Sequence, residues 1–149
     1  MRLKFLCLIT LAVLWCLLSV SNIAIAADGR PLGADLSGDA EVPGPGDADG
    51  SGMANVTLNQ GQGEVCFHIV VTDITLPAAA AHIHVGSADV AGPVVVGLAP
   101  PDASGVSTGC VQGVEPDLIK DIRQNPDNYY VNVHTSDFQA GAVRGQLSK

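Results

Sequence analysis

The sequence is poor in aromatic residues, basic residues and histidine: its 149 residues include 1 Trp, 2 Tyr, 3 Phe, 7 Lys plus Arg and 4 His. Against those 7 basic side chains stand 15 acidic ones, for a net charge of −8. Neutralising phosphates requires clustered Lys or Arg, and none is present, which excludes a nucleic-acid partner. No G-x-S-x-G elbow, P-loop, H-E-x-x-H or dinucleotide fingerprint occurs, so no recognised catalytic set is present and the reading leans away from an enzyme. C-x-x-C spacing is missing as well, which weakens any redox or metal role for the cysteines. The length admits one domain, and the 47% apolar content excludes wholesale disorder.

Long apolar runs are confined to the N-terminus. Arg2 and Lys4 precede a stretch from Phe5 to Val20 interrupted only by Thr10 and Ser19, and Ala24 and Ala26 supply an A-x-A cleavage pattern. This predicts a signal peptide over 1–26. Cys16 follows bulky Trp15, which argues against a lipoprotein cysteine. Cleavage would remove Arg2 and Lys4 and leave 123 residues with five basic against fifteen acidic groups, a net charge of −10. No later run is long enough to cross a bilayer, so no transmembrane anchor is expected after cleavage. The expected destination is secreted, periplasmic or cell-surface, where any protein partner would be extracellular or in the envelope. Residues 27–32 read as a loose tail ahead of a domain over 33–149.

Cys7 and Cys16 would leave with the signal, so Cys66 and Cys110 remain. Two cysteines in an exported domain are expected to pair. Closing that loop would stabilise the fold by about 3–4 kcal/mol in the chain-entropy account.

The rest of the chain alternates short runs rich in Val, Ile, Thr and Tyr with Gly, Pro, Asp and Asn clusters. Strands are expected over Gly33–Val42, Gly52–Asn59, Gly63–Asp73, Ala80–Gly86, Pro93–Ala99, Val106–Gly113, Asn128–Thr135 and Ala142–Leu147. Val65, Phe67, Ile69 and Val71 recur at every second position, so one face of that strand is apolar while Cys66 and His68 face the other way. Pro116 suits a first helical position, Leu118, Ile119 and Ile122 form a stripe, and Pro126 stops the segment, which predicts one short helix. The fold class is therefore all-β: an antiparallel β-sandwich of about seven or eight strands with one short helix.

Chemistry, if any, rests on the histidines. His82 and His84 lie two apart, so a strand places both imidazoles on one face. Such a pair can chelate Cu²⁺ or Zn²⁺. His134 is expected on a second strand that shares a face with Tyr130 and Asn132, and completes a tentative set of His82, His84 and His134. His68 is a candidate fourth ligand. Asp47, Asp49 and Ser51 mimic the start of a calcium loop, but position 12 would be Leu58 and a strand follows, so the segment reads as an acidic turn. Glu64 and Asp73 are carboxylates without an evident partner, and Asn55-Val56-Thr57 is a glycosylation sequon.

The ordered set Leu36-Ser37-Gly38-Asp39-Ala40-Glu41-Val42-Pro43, Ala81-His82-Ile83-His84-Val85-Gly86, Gly92-Pro93-Val94-Val95, Tyr130-Val131-Asn132-Val133-His134-Thr135 and Gly141-Ala142-Val143-Arg144-Gly145-Gln146-Leu147 resembles the CHRD domain, named for chordin. The resemblance spans about residues 33–147, with a single-domain, exported, microbial-type member as the nearest form. It implies an extracellular all-β module and directs attention to His82, His84, Asn132, His134, Thr135 and Arg144. It also implies that Arg144 pairs with a neighbouring carboxylate. Ala142 stands where many relatives carry Glu, so any ion pair using that Glu is absent. Chordin's growth-factor antagonism does not transfer, because the cysteine-rich modules that accompany the domain there are lacking. The His-x-His strand also looks like part of a copper–zinc superoxide dismutase. That dinuclear centre needs more imidazoles than the 4 present, which leaves room for one mononuclear metal. The leading expectation is a non-enzymatic extracellular binding or structural module. The alternative is a mononuclear copper or zinc protein using His82, His84 and His134.

Overall fold

The computed structural model describes residues 31–149; the expected signal peptide lies outside the described residues. Eight strands form one antiparallel sheet: β1 (Leu32–Ser37), β2 (Ser51–Asn59), β3 (Glu64–Thr72), β4 (Ala80–Val85), β5 (Val94–Leu98), β6 (Val106–Gln112), β7 (Tyr129–His134) and β8 (Val143–Gln146). Their order across the sheet is β5-β4-β7-β8-β1-β2-β3-β6. The edge strands β5 and β6 approach one another, so the sheet nearly closes on itself. The expected antiparallel all-β sandwich is thus present as a single curling sheet whose two halves face each other.

Alternation decides which side chains fill the interior. Val65, Phe67, Ile69 and Val71 of β3 point inward and meet Ala54, Val56 and Leu58 of β2, with Ile83, Val131, Val133 and Val143 from the other half. These residues are 0–7% exposed, so burial of apolar area at roughly 25 cal/mol per Å² is the main force holding the halves together. The helix α1 (Pro116–Gln124) has Pro at its first turn, Asp117 in that turn and Arg123 in the last. At nine residues it is too short to persist alone, and it buries Ile119 and Ile122 completely against the core.

Two boundaries differ from expectation. Leu32, assigned to the tail, instead opens β1, pairs with Val56 and is 2% exposed. At the other end β1 stops at Ser37 and does not continue to Val42, because the chain turns through a 3₁₀ segment over Gly38–Ala40. That turn packs backbone on backbone: a Cβ at Gly38 would lie 1.8 Å from the Asp47 carbonyl oxygen. The loop that follows folds back over the outer face of β7 and β8, through Asp47 N–H to the Ala142 carbonyl and Gly46 N–H to the Gly38 carbonyl.

Cys66 on β3 lies directly opposite Cys110 on β6, and the two form a disulfide. It bridges the β3–β6 pair on the outer face, opposite the apolar side chains of β3.

Candidate metal centre

The outer face of β4, β7 and β8 is where the sequence departs from simple apolar-in, polar-out alternation. Antiparallel register sets Ala80 opposite His134, His82 opposite Asn132 and His84 opposite Tyr130. It then sets Tyr130 opposite Gln146 and Asn132 opposite Arg144. Side chains directly opposite or diagonal on one face are near neighbours, so the pairing gathers three imidazoles, two amides, a phenol and a guanidinium into one patch. Loops cover it, and several of these polar groups are buried: His84 is 9% exposed, Asn132 2% and Arg144 1%.

His82, His84 and His134 converge, with one nitrogen from each lying within 4.8 Å of the others. His134 Nδ1 donates to the Gln139 carbonyl at 3.0 Å, and His84 Nδ1 donates to the Gly92 carbonyl at 2.8 Å. A carbonyl can only accept, so each bond fixes the tautomer and leaves a lone pair on Nε2. His134 Nε2 in turn accepts the His82 Nδ1–H at 3.1 Å, a proton that must pass to His82 Nε2 before both nitrogens can hold one ion. His84 Nε2 is buried and has no hydrogen-bond partner. Two imidazole nitrogens bound to one tetrahedral ion stand about 3.3 Å apart, given metal–nitrogen distances of about 2.0–2.1 Å. The His82–His134 spacing already matches that requirement.

The supports behind these rings are specific. A bulge in the β4–β5 pairing falls between Ile83 and His84, at the residue whose ring must be aimed. Tyr130 stacks on His84 with centroids 4.7 Å apart and planes 11° from parallel. The Tyr130 hydroxyl accepts the Gly92 N–H at 3.1 Å and donates to its carbonyl at 3.3 Å, which holds the same carbonyl that His84 uses. Thr135 Oγ1 accepts the Phe138 N–H and closes the turn that presents the Gln139 carbonyl to His134. Tyr130 and Thr135 thus stand behind the His84 and His134 rings.

Burial favours the neutral form of all three rings. It is the largest cause lowering each pKa below the usual histidine value, with His134 and His84 lowering His82 further and Arg144 lowering His84. A neutral imidazole is the form that ligates a metal.

Glu41 belongs to this patch and was not singled out as a site residue from the sequence. It is 6% exposed, and Asn132 Nδ2 donates to its Oε1 at 2.6 Å. Desolvation pushes its carboxyl up to about 7, although Arg144 and Asn132 pull it down. The sequence hint was an acid flanked by Ala40 and Val42. Glu41 lies near enough to feel the charge of Arg144, but the two form no direct ion pair: Arg144 donates to the neutral Ser87 carbonyl and Gln146 Oε1 instead. A carboxyl raised from 4.5 to about 7 adds stability that is full below pH 4.5 and is lost as pH rises toward 7. Glu41→Gln should therefore flatten that part of the stability curve and gain about 2 kcal/mol over the wild type at pH 8, after allowing for solvent screening. Near pH 4 the two should coincide. The depressed histidines act oppositely, losing stability as pH falls below 6.5, but they are common to both proteins and cancel in the difference. Chemical denaturation of both proteins across pH 4–8 measures it; an unchanged slope in the variant rules Glu41 out.

His68 is placed elsewhere. It is exposed on β3, between Asn55 and Thr108, and does not join the other three histidines. Cys66 and Cys110 lie near Glu64, but their sulfurs are bonded to each other and offer no thiolate.

The CHRD domain family model matches residues 32–147, nearly the whole described chain. No curated protein and no solved structure gives a significant match.

Proposed function

The chain belongs to the CHRD family, a family of extracellular-type modules, and on that premise we propose that it is an exported metal-binding module holding one copper or zinc ion. The ligands are His82 through Nδ1, His84 through Nε2 and His134 through Nε2. One observation carries the reading: His84 and His134 each pin one ring N–H to a backbone carbonyl, which leaves the other nitrogen aimed into a common space. Metal-ligating histidines are oriented in this way, because the second hydrogen bond fixes tautomer and ring angle together. A purely structural histidine has no reason to bury an unpartnered nitrogen, as His84 does, since that costs about 1–3 kcal/mol.

Export follows from the N-terminal targeting pattern, and among the described residues no helix is long and apolar enough to cross a membrane. No carboxylate of the patch faces the three nitrogens as a hydrogen-bond partner, so the arrangement favours binding over hydrolysis. The test is metal analysis of protein purified without a His tag, loaded with Cu or Zn and washed at pH 7. About one equivalent is expected, as a three-imidazole site binds tightly, and the His82, His84, His134 triple Ala variant should retain none. Retention below about 0.1 equivalent by the wild type would return the protein to a metal-free binding or structural module.

A further inference from the structure

Arg144 is the largest fully buried side chain on this face, and its surroundings are unusual for a charge. Nη2 donates to the Ser87 carbonyl at 2.8 Å and to Gln146 Oε1 at 3.4 Å, while Nη1 has no partner. The guanidinium carbon sits 3.5 Å above the centroid of the Tyr130 ring. All of these direct partners are neutral. On the other side of Tyr130 lies the His84 ring, nearly parallel to it. Arg144, Tyr130 and His84 therefore form a three-layer stack that runs from a buried cation to a proposed metal ligand.

A buried charge acts over a distance because little solvent screens it. Only the Tyr130 ring separates the Arg144 guanidinium from the His84 ring. As metal ligands the three imidazoles are neutral and bring no charge to offset that of an ion. An ion placed among them meets the field of Arg144, offset chiefly by Glu41, the buried carboxylate beside it, since Asp35, Asp39 and Asp89 of the same cavity are exposed and screened by solvent.

We propose that Arg144, transmitted through the Tyr130–His84 stack, biases the His82–His84–His134 site toward monovalent copper over divalent copper or zinc. The physical reason is charge. Repulsion by a nearby cation rises with the charge of the ion, so a monocation loses less than a dication in the same place. Of the two metals that suit this donor set, only copper has an accessible monovalent state. Arg144 is a positioning and tuning residue that touches no metal itself. The inference rests on the metal-binding reading of the same three histidines.

The experiment compares affinities of the untagged apoprotein for Cu(I), by competition with a bicinchoninate chelator under ascorbate, and for Cu(II), by competition with glycine. The copper midpoint potential is measured alongside. Arg144→Gln should lower the Cu(I)-to-Cu(II) affinity ratio about tenfold, which is a fall of about 59 mV for one electron. Glu41→Gln, which removes the offsetting carboxylate, should raise the ratio. Opposite signs from two neighbouring substitutions are not what general loosening of the site produces. A ratio within twofold of wild type for Arg144→Gln, or movement of both variants in one direction, overturns the proposal. If Arg144→Gln does not fold, Glu41→Gln decides alone: a raised ratio supports it, and an unchanged or lowered one overturns it. If the wild type binds neither copper ion, the metal reading itself fails. If it binds copper but the ratio ignores both substitutions, only the role of Arg144 fails.

Discussion

His84→Ala is expected to lower copper or zinc affinity by more than about 100-fold, which is beyond the 10–100-fold typical of losing a partner behind a ligand. His84 is the most constrained of the three rings. It is held by the Gly92 carbonyl at 2.8 Å on one edge and by Tyr130 across its face. Its Nε2 therefore arrives pre-aimed, and little ordering entropy is spent when an ion binds. The same substitution should change the stability of the apoprotein by only about 1–2 kcal/mol. It loses one hydrogen bond and some packing, but it also removes a buried nitrogen that had no partner. His68→Ala, on an exposed strand position away from the cluster, serves as the control and should change neither quantity. Calorimetric metal titration and thermal unfolding of the three proteins separate a ligand from a structural histidine. A large loss of stability in His84→Ala with affinity retained would mean that the ring holds the fold and not a metal.

The contrast between His84 and Glu41 shows what could be read from the chain and what could not. The His82–His84 pair was legible because strand alternation is local: two residues of spacing place both rings on one face whatever the partner strand is. The apolar alternation of β3 and the Pro-bounded helix were legible for the same reason. His134 was assigned to a strand and a face, but its meeting with His82 depends on the register of β4 against β7, across 52 residues, and register is a long-range property. The bulge beside His84 leaves no mark in composition. Glu41 is the clearest case. It lies 91 residues from its partner Asn132, in a loop rich in Pro and Gly that read as the end of a strand. Backbone contacts made far along the chain, Gly38 against Asp47 and Asp47 N–H to the Ala142 carbonyl, turn that loop back over the patch and carry the carboxyl indoors. The N-terminal targeting pattern was legible without any fold, since it rests on composition and a cleavage pattern alone.

Gly92→Ala should be among the most damaging single substitutions in the domain, costing about 3 kcal/mol, the upper end of what overpacking costs. A Cβ at Gly92 would lie 1.6 Å from the Val85 carbonyl oxygen and 2.7 Å from its carbon. Both atoms are backbone, so no rotamer change relieves the clash and the 86–93 loop must move away from β4. That movement breaks more than packing. Gly92 accepts from His84 Nδ1 and bonds to the Tyr130 hydroxyl through both N–H and carbonyl, so the ring and its stacking partner lose their common anchor. Where the variant still folds, metal affinity should fall about 10–100-fold, as expected for a carbonyl that orients a ligand. Gly97→Ala supplies the comparison, since Gly97 is an exposed position on the neighbouring strand β5 with nothing within 4 Å of the added Cβ. Adding a methyl there should leave stability within about 0.5 kcal/mol of wild type. Thermal melts of both variants, with and without one equivalent of copper, make the comparison. If Gly92→Ala melts with Gly97→Ala and gains as much from copper, the 86–93 loop is not what holds His84 in place, and the orientation of that ring must come from β4 and Tyr130 alone.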